Sequence, residues 1–139
     1  GSSEAFVCEA CEYVDTFLQL SPDIAVILNI DEDHMEYFHT LDNLKASFTK
    51  FAQKTSKTVL YNGDDANTID AMQKVTGKEM LTFGKSEGCD WRASDVEHLA
   101  SGQTAFTVWH HNEKLGTATI QVPGEHNVLN ALCATASSL

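Results

Sequence analysis

Two hydrophobic periods alternate along the first half of this chain. Phe6–Cys11 is a short apolar run and predicts a strand. Tyr13–Leu20 is ambiguous and compatible with a short helical turn that Ser21-Pro22-Asp23 ends. Ile24–Ile30 is rich in β-branched residues and shows no polar alternation, which predicts a strand covered on both faces, as in a parallel sheet. Leu41, Leu44, Phe48 and Phe51 recur at spacings of 3, 4 and 3, so Leu41–Lys54 is expected to be an amphipathic helix. Thr58–Tyr61 predicts another strand, followed by the turn Asn62-Gly63-Asp64-Asp65, whose residue types also cap helices. Ile69, Met72 and Val75 mark one face of a second helix, Gly77 stops it, and Met80–Phe83 predicts a further strand.

The pattern changes after Gly84. Asp95–Leu99, Thr104–His111 and Gly116–Val122 read as strands joined by short polar turns, with a hairpin loop from His110 to Lys114. Pro123-Gly124 breaks the run, and Asn127–Leu139 reads as a closing helix. The expected fold class is therefore α/β: a mostly parallel sheet flanked by helices, with a C-terminal antiparallel β appendage. The helical pattern still runs at Leu139, and a buried-type strand opens the chain almost at once. Residues 1–139 are accordingly expected to be a single partial domain of a longer protein.

A length of 139 residues suits one domain with a sizeable core. Charge narrows the partners. Twenty acidic residues against nine basic give a net charge of −11, and Arg92 is the lone arginine. Nucleic acid and anionic membrane surfaces, which need Lys/Arg patches, are excluded as expected partners. The longest apolar run, Ile24–Leu28, falls far short of the ~20 residues that span a bilayer. The four cysteines read as reduced thiols of a cytoplasmic protein. Cys8 and Cys11 form a C-x-x-C without a second pair at zinc-ligand spacing, so they read as small packing residues.

In an open parallel sheet, ligands bind beyond the carboxyl ends of the strands. The segments expected there are Cys8-Glu9-Ala10-Cys11-Glu12-Tyr13, Asn29-Ile30-Asp31-Glu32-Asp33-His34-Met35 and Asn62-Gly63-Asp64-Asp65. Together they make an acidic edge with one histidine. Hard carboxylates without neighbouring cations favour a divalent ion such as Mg²⁺, which in turn attracts nucleotide phosphates. Glu9 is a carboxylate in an apolar run, where burial without a partner is costly. The plainer reading of Asp31–His34 is a solvated acidic loop. That of Asp64 and Asp65 is turn and cap, and that of Asn127 an ordinary helix start. Asn127 and Asn130 share a helix face and offer amides to a base. No glycine-rich phosphate loop occurs in the sequence.

These segments also carry a family resemblance. Cys8-Glu9-Ala10-Cys11-Glu12-Tyr13, Asn29-Ile30-Asp31-Glu32-Asp33-His34-Met35-Glu36-Tyr37-Phe38 and Pro123-Gly124-Glu125-His126-Asn127-Val128-Leu129-Asn130-Ala131 resemble three segments of the Mur ligases, in family order and at family-like separations. The resemblance covers essentially the whole chain. It implies the central ATP-binding domain of a bacterial, cytoplasmic, ATP-dependent amide ligase of peptidoglycan synthesis, minus its P-loop and its N- and C-terminal domains. It implies ATP and Mg²⁺ as cofactors. Within the family the wording is similar to the branch that adds L-alanine to UDP-N-acetylmuramate through an acyl phosphate, with the tripeptide-recycling branch next. Glu9 and His34 match metal ligands that serve catalysis. Asp33 matches a residue orienting His34, and His126, Asn127 and Asn130 match the nucleotide-binding segment. Glu125 stands where many relatives have arginine. Phe48 stands where several sister ligases carry a carbamylated lysine, so no lysine carbamate is expected. The piece alone is expected to be inactive. A stand-alone binding module that lost the P-loop is the competing expectation.

Overall fold

The structure, a computed structural model, describes residues 4–138. Its centre is a six-stranded sheet whose strands lie in chain order: β1 (Ile24–Ile27), β2 (Thr58–Asn62), β3 (Glu79–Gly84), β4 (Trp91–His98), β5 (Thr104–His110) and β6 (Glu113–Ile120). β1 to β4 are mutually parallel, and β5 is antiparallel to both of its neighbours, β4 and β6. The antiparallel part is continuous with the parallel part. β4 joins β3 through only Phe83–Trp91 and Gly84–Arg92 before turning away with β5.

Two layers of helix cover the sheet. On one side lie a 3-10 helix (Tyr13–Gln19), α1 (Met35–Phe38), α2 (Leu41–Lys54) and α3 (Ala66–Met72). Their core gathers Phe17, Ile27, Leu44, Phe51, Val59 and Met72. On the other side α4 (Glu125–Ser138) packs Val128 and Leu132 against Leu60, Phe83, Trp91 and Phe106. The period-two alternation of a strand explains this division. Val59 and Tyr61 face the α2 layer, and Leu60 between them faces α4.

The expected helix Leu41–Lys54 forms over those residues, N-capped by Thr40, whose hydroxyl accepts the Asn43 N–H at 3.1 Å. Asp65 caps α3 in the same way, and Gly77 follows it at φ +76°. The Gly84 boundary between the two kinds of pairing also stands.

Several expectations need correction. The hairpin loop expected from His110 to Lys114 shrinks to His111-Asn112, because His110 pairs with Glu113 and β6 runs over Glu113–Ile120 rather than Gly116–Val122. Phe6–Cys11 is not a strand: no ladder takes it up among the described residues, and Phe6 and Val7 are 90% and 91% exposed. An apolar run becomes a strand only where an edge accepts its backbone groups. The strand expected over Ile24–Ile30 is Ile24–Ile27 and is covered on one face only. Ala25 and Ile27 are buried, whereas Ile24 and Val26 lie on a face that α4 covers incompletely. That face lines a groove of about 380 Å³ with Leu60, Leu81, Trp91 and Ala136. Finally, β4 starts at Trp91 rather than Asp95. Buried Trp91 and Ala93 alternate with half-buried Arg92 and Ser94, and the irregularity between Ser94 and Glu97, with Asp95 at φ +52°, breaks the pattern that sequence alone displays.

Candidate functional site

Parallel pairing of β1 and β2 places the segments after them on one edge of the sheet, as expected. The Asp65 carboxylate Oδ2 accepts the Ile30 N–H at 3.2 Å, and Asn67 donates to the Ile30 carbonyl at 3.0 Å. Asn62 donates to the Leu28 carbonyl at 3.0 Å. These bonds hold the segment after β1 against the start of α3.

That segment ends at His34, which precedes α1 with φ +54°. A left-handed backbone at a non-glycine residue is strained and persists only where its surroundings hold it. The Asp33 carboxylate holds this one by accepting the His34 N–H at 2.8 Å. Around the imidazole stand three carboxylates. His34 Nε2 is 3.6 Å from Glu12 and 3.8 Å from Asp33, and Nδ1 is 3.8 Å from Glu36. The Tyr13 ring packs on the imidazole at a centroid distance of 4.7 Å. Glu12, Asp33 and His34 each point one ligand atom into a common space, all within 4.8 Å of one another. Ligands of one Mg²⁺ ion at ~2.1 Å stand roughly 3–4.2 Å apart. The His34–Glu12 and His34–Asp33 separations fall in that span, and two hard oxygen donors with one imidazole suit a divalent cation.

Glu12 is the member that sequence reading missed as a site residue. Its signal was present, since it lies in the acidic stretch Glu9–Tyr13, but only the fold of the 3-10 helix turns it toward His34. Glu9 is exposed and is not a member of this cluster.

Asp15 ties the cluster's elements together. It accepts the Tyr37 hydroxyl of α1 at 2.7 Å on one oxygen and the Ser47 hydroxyl of α2 on the other. The Tyr37 phenol is pushed above its ordinary pKa, first by its hydrogen bond to Asp15 and then by desolvation and the Asp15 charge.

The next stretch of the edge is built on Asp64. Its carboxylate accepts the N–H groups of Lys85 (2.6 Å) and Ser86 (3.1 Å) and the Ser86 hydroxyl. Burial pushes this carboxyl upward, but those hydrogen bonds and the Lys85 charge outweigh it and hold the pKa below the ordinary value. Gly84 is required here, because a Cβ would stand 2.6 Å from Asp64 Oδ2. Asp64 and Asp65 thus act as turn and cap residues.

Lys85 then reaches across to α4, with its ammonium 2.7 Å from Glu125. Next to Glu125 lies the expected nucleotide-binding segment. Gly124 has φ +103°, and a Cβ there would meet the His126 ring at 2.9 Å. Asn127 donates its amide N–H to the Pro123 carbonyl at 2.7 Å. That bond leaves its amide oxygen for other use. His126 and Asn130 are exposed. The His34 cluster and this segment do not touch. The contacts Ile30–Asp65, Asp64–Lys85 and Lys85–Glu125 link them in a row along the carboxyl edge. Arg92 plays no part in that row; its guanidinium lies 4.7 Å over the Trp109 ring.

Comparison with known proteins agrees with this architecture. The Mur ligase middle domain family matches residues 1–138. The chain is 42% identical over 138 residues to UDP-N-acetylmuramate–L-alanine ligase of Caldanaerobacter subterraneus subsp. tengcongensis, covering 98% of this chain and 30% of the relative. It is 39% identical over 141 residues to the enzyme of the same name from Clostridium acetobutylicum, covering 100% and 30%. Among solved structures, the UDP-N-acetylmuramate:L-alanyl-gamma-D-glutamyl-meso-diaminopimelate ligase from Neisseria meningitides superposes with TM-score 0.79 at 26% identity, over 94% of this chain and 41% of that one. UDP-N-acetylmuramate-alanine ligase from Thermotoga maritima shares the fold with TM-score 0.73 at 24% identity, over 88% and 26%. The chain spans about 30% of the length of the curated relatives it matches. It belongs to the Mur ligase family, as its middle domain.

Proposed function

Given that membership, we propose that this domain handles ATP in a ligase that joins L-alanine to UDP-N-acetylmuramate for peptidoglycan synthesis. The observation that carries the reading is the row Ile30–Asp65, Asp64–Lys85 and Lys85–Glu125. It sets the acidic His34 cluster and the His126–Asn130 segment along one sheet edge, where open parallel sheets take their ligands. Relatives at 36–42% identity that bear the name of that ligase support it.

His126, Asn127 and Asn130 bind the nucleotide at the α4 end. At the other end Glu9 would hold Mg²⁺ for the nucleotide phosphates, His34 would serve a second metal position for the acyl phosphate, and Asp33 orients the imidazole. The bound cation supplies neutralisation of charge on the transferring phosphoryl oxygens. The substrate carboxylate takes the γ-phosphoryl group and ADP leaves. The alanine amine then attacks the acyl carbon, and phosphate departs. This domain's share of the work is positioning. Its absent neighbours in the longer protein supply the remaining phosphate and substrate contacts. Use of ATP and a UDP-linked substrate supports a location in the bacterial cytoplasm. Among the described residues no helix is long and apolar enough to cross a membrane.

The test uses the full-length protein with ATP, Mg²⁺ and UDP-N-acetylmuramate. ADP release that depends on L-alanine is the expected result. Release that depends instead on L-alanyl-gamma-D-glutamyl-meso-diaminopimelate would assign the tripeptide-ligating activity in the name of the Neisseria structure. Nucleotide binding without release in either case would leave a binding module and overturn the ligase reading.

A further inference from the structure

We propose that Asp15 is the positioning residue of the cation-binding edge, clamping the turn that carries Glu12 and Tyr13 onto the elements that carry His34. The inference rests on the reading of that edge given above.

Three elements meet at this one carboxylate. Asp15 belongs to the 3-10 helix, Tyr37 to α1 and Ser47 to α2. Each oxygen of Asp15 accepts one hydroxyl, Tyr37 on Oδ2 and Ser47 on Oδ1. Ser47 is only 5% exposed, so its arm is anchored in the core. The turn is closed on itself by Asp15 N–H to the Glu12 carbonyl (2.9 Å) and Phe17 N–H to the Cys11 carbonyl (2.8 Å), yet Val14 and Asp15 adopt φ +53° and +55°, a region that non-glycine residues seldom occupy. The Asp15 clamp supplies the side-chain hydrogen bonds that tie this strained turn to α1 and α2. Through them the turn presents two groups to His34: the Glu12 carboxylate at 3.6 Å and the Tyr13 ring at 4.7 Å. Tyr13 also meets Tyr37 edge-on at 6.4 Å, a further contact between the turn and α1. Asp15 faces Tyr37, Ser47, His39 and Lys50 across a recess of about 250 Å³ and is not itself one of the three residues converging on the cation space. Its effect on the cation is therefore indirect.

The test uses the full-length protein with two readouts. The first is the NMR position of the His34 ring protons, assigned by their loss in His34→Ala, which reports the Tyr13 ring current. The second is the Kd for Mn²⁺ measured by EPR. Asp15→Ala is expected to move the His34 resonances toward those of free histidine and to raise the Mn²⁺ Kd by about tenfold, the usual effect of removing an orienting partner. Tyr37→Phe and Ser47→Ala, which remove one arm each, are expected to shift both readouts in the same direction by less. They carry the test should Asp15→Ala fail to fold. His34 resonances and Mn²⁺ Kd unchanged in these variants would overturn the proposal. If His34→Ala binds Mn²⁺ as the wild type does, the cation reading falls instead, and the His34 resonances still decide the role of Asp15.

Discussion

Asp65 accepts the backbone N–H of Ile30 at 3.2 Å with the same oxygen that caps α3 through the Thr68 N–H at 3.0 Å. One carboxylate thus fixes both the start of a helix and the segment that leads to His34. Removing a cap costs about 0.5–2 kcal/mol, and the N–H of the buried Ile30 loses its partner as well. Asp65→Ala is expected to lower stability by about 2 kcal/mol in urea denaturation, with Asp65→Asn close to wild type because an amide oxygen still accepts. Equal losses in the two variants would mean that charge, not hydrogen bonding, is what Asp65 contributes.

The aromatic group beneath the 3-10 helix tests the core. Phe17 is 2% exposed, stacks on Phe51 at 4.6 Å and meets Phe48 edge-on at 5.2 Å. Phe17→Ala is expected to cost about 3–5 kcal/mol, the range for buried aromatics. Phe48 is only half-buried and should cost less on truncation. The order of the two denaturation midpoints checks the placement of both rings.

Asp64 makes stability depend on acid. Its folded pKa lies below the ordinary carboxylate value, so the native state holds the charged form more strongly than the unfolded chain does. The contribution is present above the unfolded pKa of roughly 4 and is lost as pH falls through the folded value. The difference in urea midpoint between wild type and Asp64→Asn should be largest at neutral pH and shrink below about pH 4. A difference that stays constant into acid would remove Asp64 as the cause.

The cysteines should separate by reactivity. Cys8 and Cys11 are exposed, whereas Cys89 and Cys133 are buried. Burial, with the nearby Asp64 charge, pushes the Cys89 thiol up from 9.0 to about 11. Since the thiolate is the reactive form, iodoacetamide at pH 8 should label Cys8 and Cys11 well before the other two. Peptide mapping by mass spectrometry reads the order, and early labelling of Cys89 would contradict its burial. In alkali the sign is the reverse of Asp64: the Cys89 contribution is present below the unfolded pKa and is lost as pH rises through about 11.

Catalysis tests the edge itself. On the proposed reading that each supplies a ligand to a phosphate-clamping cation, Glu9→Ala and His34→Ala in the full-length protein are each expected to cut kcat severely. Wild-type turnover in Glu9→Ala would transfer that role to Glu12, which the fold brings to His34.

Local pattern determined much of this protein by itself. The helix Leu41–Lys54, the cap at Asp65, the stop at Gly77 and the change of architecture after Gly84 are written in spacing and turn chemistry, which act over a few residues. The acidic stretches and the Pro123–Ala131 segment were equally legible, since they are contiguous. Tertiary structure decided what depends on distant partners. Whether Phe6–Cys11 pairs, how much of Ile24–Ile30 is covered, and where β4 begins are set by which edges and faces meet. The site divides the same way. His34 was visible as the lone histidine of an acidic loop, but no spacing rule joins it to Glu12 or joins Asp15 to Tyr37 and Ser47. Those pairs lie 22 to 32 residues apart along the chain, with β1 between their members, and meet only because the segment after β1 and α1 and α2 pack back onto the 3-10 helix that precedes it.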